Sequence, residues 1–292
     1  MNQNNTLEVV MKWIFFICAL LSIFALAAIC YFIFARSIPF LADYGLGSFL
    51  FGDTWKPTND IYGIAPMLVG SFYVTCLAIL FGVPTGIFTA VFMAFYCPDK
   101  LHKILKPGVN LMAGIPSIVY GYFGLVVLVP IIRKTVRSMG IPSSGMSVFT
   151  AGLVLGIMIL PTIITMSESS LRAVPKSYYQ ASVGLGATHD RTAYRIMVPA
   201  ARSGILASVI MGIGRAVGET MAVIMVAGNA AVFPKGLFQG TRTMTANIML
   251  EMAYASGDHR SALIATGAVL FVIVLMINGI LAVVKRKGGV QG

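Results

Sequence analysis

Six long apolar stretches constrain the fold more than any other feature of this 292-residue sequence. A helix needs about 20 apolar residues to cross the hydrocarbon core of a bilayer. Five of the stretches contain no charged residue, and in the whole chain 58% of residues are apolar and only 11% charged. The sequence therefore predicts an all-α membrane protein with six transmembrane helices: Trp13 to Phe34, Ala65 to Phe95, Gly108 to Ile132, Met146 to Met166, Gly204 to Phe233 and Ala262 to Val284.

The basic residues agree with this environment and predict an orientation. The formal net charge is +11, but the Lys and Arg residues lie in connections that flank the apolar stretches. Nucleic-acid-binding proteins need a basic solvated face, so we expect no nucleic acid as partner. The cluster Lys285-Arg286-Lys287 directly follows the last stretch and marks the cytoplasmic side. An even number of spans then places both the N and C termini in the cytoplasm.

The predicted spans divide the chain into three parts. Residues 1–64 hold the first span and an outer loop, 65–284 hold the other five spans, and 285–292 form a basic cytoplasmic tail. Within the second part, residues 167–203 form a long polar connection. None of the cysteines has the spacing of a metal site or of a CxxC pair, so we expect no disulfide and no cofactor. These cysteines are Cys18, Cys30, Cys76 and Cys97.

The 167–203 connection predicts two short helices separated by glycine. Pro175 suits a first helical turn, and apolar residues follow it at helical spacing as far as Leu185. Gly184 and Gly186 would end this helix, and a second helix is predicted from about Asp190 to Val198. An amphipathic helix of this kind can lie on the membrane surface or dock into a partner. The pattern alone leaves both uses open.

The spacing within this connection resembles the EAA loop of ATP-binding-cassette importer permeases. Gln180-Ala181-Ser182, Gly186, Ile196 and Val198-Pro199 stand at the intervals of that motif, although Gln180, Ser182 and Val198 depart from its Glu, Ala and Leu. The resemblance implies the type I ABC importer permease fold, with a coupling helix that binds a separate ATPase. The residues implied in that contact are Tyr178, Tyr179, Gln180, Ala181, Ser182, Leu185, Gly186 and Ala187.

A charged pair interrupts the fifth predicted span. Arg215 is placed about 16 Å from the cytoplasmic edge, near the bilayer centre, and a charge at that depth needs compensation. Glu219 follows four residues later, which predicts a salt bridge on one helix face. That pair could simply hold helices together. Alternatively, the planar guanidinium of Arg215 could bind an oxyanion while Glu219 holds it in place.

The residues around this pair favour the second interpretation. The stretch from Gly212 to Val223, Gly-Ile-Gly-Arg-Ala-Val-Gly-Glu-Thr-Met-Ala-Val, resembles phosphate-specific transport permeases of the PstC type, as does Ala113 to Gly121. The resemblance implies import of inorganic phosphate along a pathway that includes Thr220 and Ser117. Pro116 can open the third helix beside that pathway or merely kink it.

The same resemblance implies partner proteins. They are a sister permease of the PstA type, a dimer of PstB-type ATPases on the cytoplasmic side, and a PstS-type phosphate-binding protein. The binding protein would dock on the outer loops, around Phe51 to Tyr62 and Lys235 to Gly257. The implied location is a prokaryotic cytoplasmic membrane.

The sequence bears differently on three alternatives to a phosphate permease. A permease for another oxyanion, such as arsenate, remains open. An ion-coupled secondary transporter is disfavoured, because such carriers need titratable relays within the membrane, and Glu219 is the only carboxylate in a predicted span. An enzyme is disfavoured because no nucleophile, base or metal group clusters at membrane depth. Since the chain lacks a GxxxxGK[ST] phosphate loop, any ATP hydrolysis is predicted on a separate chain.

Overall fold

The computed structural model describes residues 3–289, and helices account for most of them. The part before residue 140 contains one small sheet. Its elements, in order, are α1 (Gln3–Tyr44), α2 (Leu46–Phe51), β1 (Trp55–Lys56), a 3-10 turn (Pro57–Asn59), β2 (Ile61–Tyr62), α3 (Ala65–Val91) with a π-helical end (Phe92–Tyr96), α4 (Asp99–Gly114), α5 (Ser117–Phe123), a π-helical turn (Gly124–Leu128) and α6 (Val129–Ser138).

The rest of the described chain is helical apart from its connections. A long irregular connection separates α12 from α13. The elements are α7 (Val148–Ala173), α8 (Lys176–Gly184), α9 (His189–Thr192), a π-helical turn (Ala193–Met197), α10 (Val198–Ala200), α11 (Arg202–Gly218), α12 (Met221–Val226), α13 (Met244–Glu251) and α14 (Gly257–Gly289).

The predicted all-α membrane architecture is confirmed. α11 adds a further crossing if it counts as one span with the helical stretch before it, from which it is bent by 69°. Sidedness stays a prediction, so we call one end of the bundle the loop end, where α8 lies, and the other the hairpin end, where β1 and β2 lie. Within the described residues, five helices are long and apolar enough to span a membrane: Glu8–Tyr44, Ala65–Tyr96, Ser117–Ser138, Val148–Ala173 and Gly257–Ile280.

The third predicted span begins too early. The chain leaves the helical conformation at Ile115 (φ −70°, ψ 127°) and Pro116 (φ −58°, ψ 141°). Proline disfavours helical conformation in the residue before it, so α4 ends at Gly114. α4 has no buried residue and is a separate helix at the loop end. The crossing helix is therefore Ser117–Ser138 rather than Gly108 to Ile132.

The fifth predicted span is also interrupted. α11 ends at Gly218, and α12 is a separate helix of 6 residues. Beyond Val226 the chain is irregular until α13, so the predicted continuous helix from Gly204 to Phe233 is wrong. The fourth span, in contrast, is longer than predicted. α7 continues past Met166 to Ala173, so the irregular part of the 167–203 connection begins at Val174.

α3 and α7 form the central pair of the bundle. A Cβ atom added at Gly82 would lie 2.7 Å from Ile159 Cδ1 and 2.9 Å from the carbonyl oxygen of Gly156. One added at Gly86 would lie 2.7 Å from Ile163 Cγ2. Small residues of this kind let helix backbones approach closely in a membrane, where lipid supplies no hydrophobic drive for association. The buried residues of α7 thus form the core on which the other helices pack.

A second core lies at the hairpin end. β1 and β2 pair antiparallel, with Trp55 opposite Tyr62. Both rings pack with Phe40 of α1 and Phe49 of α2, and Leu263 of α14 belongs to the same buried cluster. This buried cluster therefore joins α1 to α14 at the hairpin end.

We predict that Gly82→Val destabilises the protein by about 1 to 3 kcal/mol, because the added methyl groups have no space beside Ile159. The thermal unfolding midpoint in detergent should fall accordingly. Gly279→Val is the control, since a Cβ atom at Gly279 of α14 meets nothing within 4 Å. Equal unfolding temperatures for the two variants would contradict the close α3–α7 packing.

Candidate functional site

Arg215 lies in the last turn of α11 and is partly buried. The carbonyl groups there have no partner within the helix and stabilise a nearby cation. The predicted salt bridge to Glu219 is wrong, because α11 ends at Gly218 and Glu219 is extended (φ −69°, ψ 133°). Among residues 3–289, the ion pairs formed do not include one between these two side chains.

Glu219 instead fixes the break between α11 and α12. Its Oε1 atom accepts a hydrogen bond from the backbone N–H of Ala222 at 3.1 Å, and a carboxylate is favourable at the start of a helix. Its carbonyl accepts a hydrogen bond from Thr245 Oγ1 at 3.0 Å. Thr220 Oγ1 donates to the carbonyl of Gly218 at 3.3 Å. Backbone groups that the break frees from helical bonding thus gain side-chain partners.

The break at Pro116 lies on a neighbouring element. Pro116 is the N-cap residue of α5, and Ser117 begins the helix. Tyr120 Oη donates to the carbonyl of Met112 at 2.7 Å, which ties α5 back to α4. α5 packs directly on α12, since a Cβ atom added at Gly121 would lie 2.8 Å from the Cα atom of Ala222. The two interrupted helices therefore meet, with Tyr120 within Coulombic range of Arg215.

The two short helices predicted in the connection are present at the loop end. Pro175 is the N-cap residue of α8, and Gly186 takes φ 83°, a conformation that favours glycine. The second helix begins slightly earlier than predicted, with Thr188 as its N-cap residue. A groove of about 730 Å³ is lined by α8 and the turn after it, together with Arg191 and Ile196. Of the predicted coupling residues, the exposed ones are Tyr178, Gln180, Ala181, Leu185 and Gly186, and the partly buried ones are Tyr179, Ser182 and Ala187.

Hydrogen bonds tie this connection to the end of α3. His189 Nε2 donates to the carbonyl of Phe95 at 3.1 Å, and because a carbonyl only accepts, His189 Nδ1 accepts from Tyr179 Oη at 2.8 Å. Tyr96 Oη donates to Asp190 Oδ1 at 2.8 Å. Large apolar side chains of α8 and of the turn after it are exposed: Tyr178 at 53%, Val183 at 43% and Leu185 at 90%.

At the hairpin end, a buried carboxylate joins the two predicted outer segments. Glu251 is 7% exposed and accepts hydrogen bonds from Trp55 Nε1 at 2.8 Å and Arg242 NH1 at 2.6 Å. His259 Nε2 lies 2.9 Å from its Oε2 atom. Burial, aided by a hydrogen bond to Asp60, raises the pKa of nearby Tyr62 to about 12, so its hydroxyl stays protonated. No local sequence pattern predicts this cluster, because its members lie up to 196 residues apart.

Comparison with known proteins establishes the family. A family model described as binding-protein-dependent transport system inner membrane component matches residues 82–288. The chain belongs to this family. It is thus a multi-pass inner membrane protein and a transport subunit. Among the described residues, no group of three or more His, Cys, Asp or Glu side chains could hold a metal ion.

Relatives of known name match nearly the whole chain. It is 38% identical to the probable ABC transporter permease protein YqgH of Bacillus subtilis, over 93% of this chain and 89% of the relative. It is 36% identical to the phosphate transport system permease protein PstC of Mesorhizobium japonicum, over 90% and 85% of the two chains. Identity to PstC of Haemophilus influenzae is 34%, over 89% and 87%. The resemblance to PstC-type permeases is therefore confirmed.

Solved structures confirm the fold class of an ABC importer permease. A chain of the MetNI methionine ABC transporter in an inward-facing conformation aligns with a TM-score of 0.61 at 19% identity, over 80% of this chain and 99% of that one. A chain of a bacterial alginate ABC transporter, in complex with an alginate-bound periplasmic protein, aligns with a TM-score of 0.61 at 15% identity, over 98% of both chains.

We predict that Glu251→Gln loosens the hairpin end. Removing one partner of a buried ion pair costs about 3 to 5 kcal/mol, and here Arg242 would keep its charge without the carboxylate. Limited proteolysis should cut faster between residues 51 and 62, and the unfolding temperature should fall. The control is Asp43→Asn, which changes an exposed carboxylate of α1. Unchanged cleavage in Glu251→Gln would show that the cluster contributes little.

Proposed function

We propose that this chain is a permease subunit of an ATP-driven importer of inorganic phosphate. The observation that carries the proposal is the match to PstC proteins over nearly the whole chain, at 36% identity to one and 34% to another. The names of these relatives state phosphate transport. The position of Arg215, a cation beside two interrupted helices, supplies a group suited to that anion.

Arg215 binds phosphate in this proposal. Its guanidinium presents a planar set of donors that matches the oxygens of a phosphate. The C-terminal carbonyls of α11 stabilise the cation when the site is empty. Among residues 3–289 no carboxylate forms an ion pair with Arg215, so its donors stay available to an anion. Glu219, Thr220, Ser117 and Pro116 line the same pathway at the breaks of α11 and α5.

ATP drives the cycle from outside the chain. The ATPase is a separate dimer of the PstB type, and it holds the groove formed by α8 and Leu185. A sister permease of the PstA type completes the pathway, and a PstS-type binding protein delivers phosphate to the hairpin end. Nucleotide binding moves α8, opens the pathway toward the binding protein, and hydrolysis resets it. The family description, which specifies a binding-protein-dependent system, supports the binding protein among these partners, and the ABC transporter permease name of one relative supports the ATPase.

Transport measurements test the substrate and the role of Arg215. ATP-dependent uptake of labelled phosphate is measured in vesicles that contain the complete complex, with wild type, Arg215→Lys and Arg215→Gln. We predict that Arg215→Gln lowers uptake at least about 100-fold, because it removes a charge-assisted, bidentate contact worth about 3 kcal/mol. Arg215→Lys should retain part of the uptake, since the positive charge is kept but the planar pair of guanidinium donors is lost.

Three outcomes decide between the alternatives. Normal uptake by Arg215→Gln would make Arg215 structural. Absence of phosphate uptake in assembled wild type, with arsenate or another oxyanion imported instead, would replace the substrate. Uptake by this chain without an ATPase, driven by an ion gradient, would favour a secondary transporter.

A second experiment tests the coupling surface. We predict that Leu185→Asp reduces co-purification of the ATPase subunit about tenfold, because the exposed side chain would fill an apolar pocket worth about 1.5 to 3 kcal/mol. Val232→Asp, the same kind of change at an exposed position of the loop after α12, is the control. Equal ATPase recovery with both variants would exclude Leu185 from the contact.

A further inference from the structure

A second buried carboxylate lies at the loop end, outside the sites described above. Glu168 of α7 is 2% exposed, and three cationic or polar side chains surround it. His102 Nε2 lies 2.7 Å from Oε1, Lys106 Nζ 2.7 Å from Oε2, and Arg172 Nε 2.9 Å from Oε1. Both carboxylate oxygens are therefore satisfied, and two of the three partners belong to α4.

α4 depends on this cluster for its position. No residue of the helix is fully buried, so apolar packing holds it only weakly, and α7 is the helix that it contacts most. Its first half is bonded to Glu168 through His102 and Lys106. Its last turn is bonded to α5, through the hydrogen bond from Tyr120 Oη to Met112. α4 is thus a rigid connection between the end of α7 and the break at Pro116.

The same cluster reaches the coupling surface. Arg172, which contacts Glu168, also donates through NH2 to the carbonyl of Met93 at 2.8 Å, in the π-helical end of α3. That segment continues to Phe95 and Tyr96, which bond to His189 and Asp190 of α9. Hydrogen bonds, together with the π-helical backbone that joins Met93 to Tyr96, therefore connect the α8–α9 segment to α4.

We propose that Glu168 is a positioning residue that transmits movement of the α8–α9 segment through α4 to the Pro116 break and α5. The inference rests on the proposed function, in which an ATPase moves α8. Hydrogen bonds to an ionised group are short and directional, so α4 follows α7 instead of sliding over it. A contiguous network of this kind carries coupling only where both ends respond to it, which an experiment can test.

The test breaks the α4 side of the cluster and leaves Glu168 compensated by Arg172. The variant is His102→Ala with Lys106→Met in the complete transporter in vesicles. The control is Lys100→Ala with Lys103→Met, which makes the same two kinds of truncation at exposed positions of α4. Phosphate imported and ATP hydrolysed are measured on the same preparation. A merely structural defect lowers both together, whereas a transmission defect lowers their ratio.

We expect the variant to hydrolyse ATP within about twofold of wild type and to import about tenfold less phosphate per ATP. The control should match wild type. A wild-type ratio in the variant overturns the inference, and so does a parallel fall of both activities. Lys106→Arg with His102→Ala should import nearly as much phosphate per ATP hydrolysed as wild type, because a cation again reaches Glu168.

A distance measurement keeps this inference separate from the proposed substrate. Spin labels are placed at exposed Lys100 of α4 and Thr135 of α6, in a chain whose native cysteines are replaced. ATP with vanadate should change the distance between them in wild type and not in His102→Ala with Lys106→Met. This readout does not depend on phosphate, so failed phosphate import would reject only the proposed substrate. An equal change in both proteins overturns the inference.

Discussion

The close contact between α3 and α7 is the constraint on which the other helices depend. Lipid offers no hydrophobic gain when two apolar helices meet, so their association relies on direct packing. Gly82 and Gly86 remove the side chains that would keep the backbones apart, and Ile159 and Ile163 occupy the space. The pair extends through the whole bundle. It carries the α8–α9 segment at one end and contacts the aromatic core at the other, and α11 packs on it from the side.

The two breaks in the spanning helices show how irregular backbone is tolerated at that depth. An unpaired backbone group is costly away from water, and such segments persist only where protein or a water-filled cavity surrounds them. Here Thr245 donates a hydrogen bond to the carbonyl of Glu219, and the Glu219 side chain accepts one from the N–H of Ala222. Tyr120 donates a hydrogen bond to the carbonyl of Met112. Polar side chains at the two breaks thus stabilise the irregular backbone.

Local patterns in the sequence predict much of this structure, and contacts between distant residues account for the rest. Apolar length identifies the spans, and Pro175, with Gly184 and Gly186, predicts the short helices of the 167–203 connection. The conformational restriction that proline imposes predicts a break at Pro116. The end of α4 was not predicted, because apolar residues continue on both sides of it. The break after Gly218 carries no proline, so helical periodicity placed Arg215 and Glu219 on one face. Glu168 lies 62 and 66 positions from its partners in α4, and Glu251 lies 196 positions from Trp55, contacts that no local pattern reveals.

The Glu251 cluster also imposes an order on biogenesis. Trp55 is synthesised 196 residues before the carboxylate that accepts its indole N–H. At about 5 to 20 residues per second, the ribosome needs about 10 to 40 s to cover that interval. During this time β1 and β2 have neither Glu251 nor α14 to pack against. The surface proposed to receive a binding protein is therefore completed last, so a nascent chain halted before α13 cannot offer it, even with its earlier helices inserted.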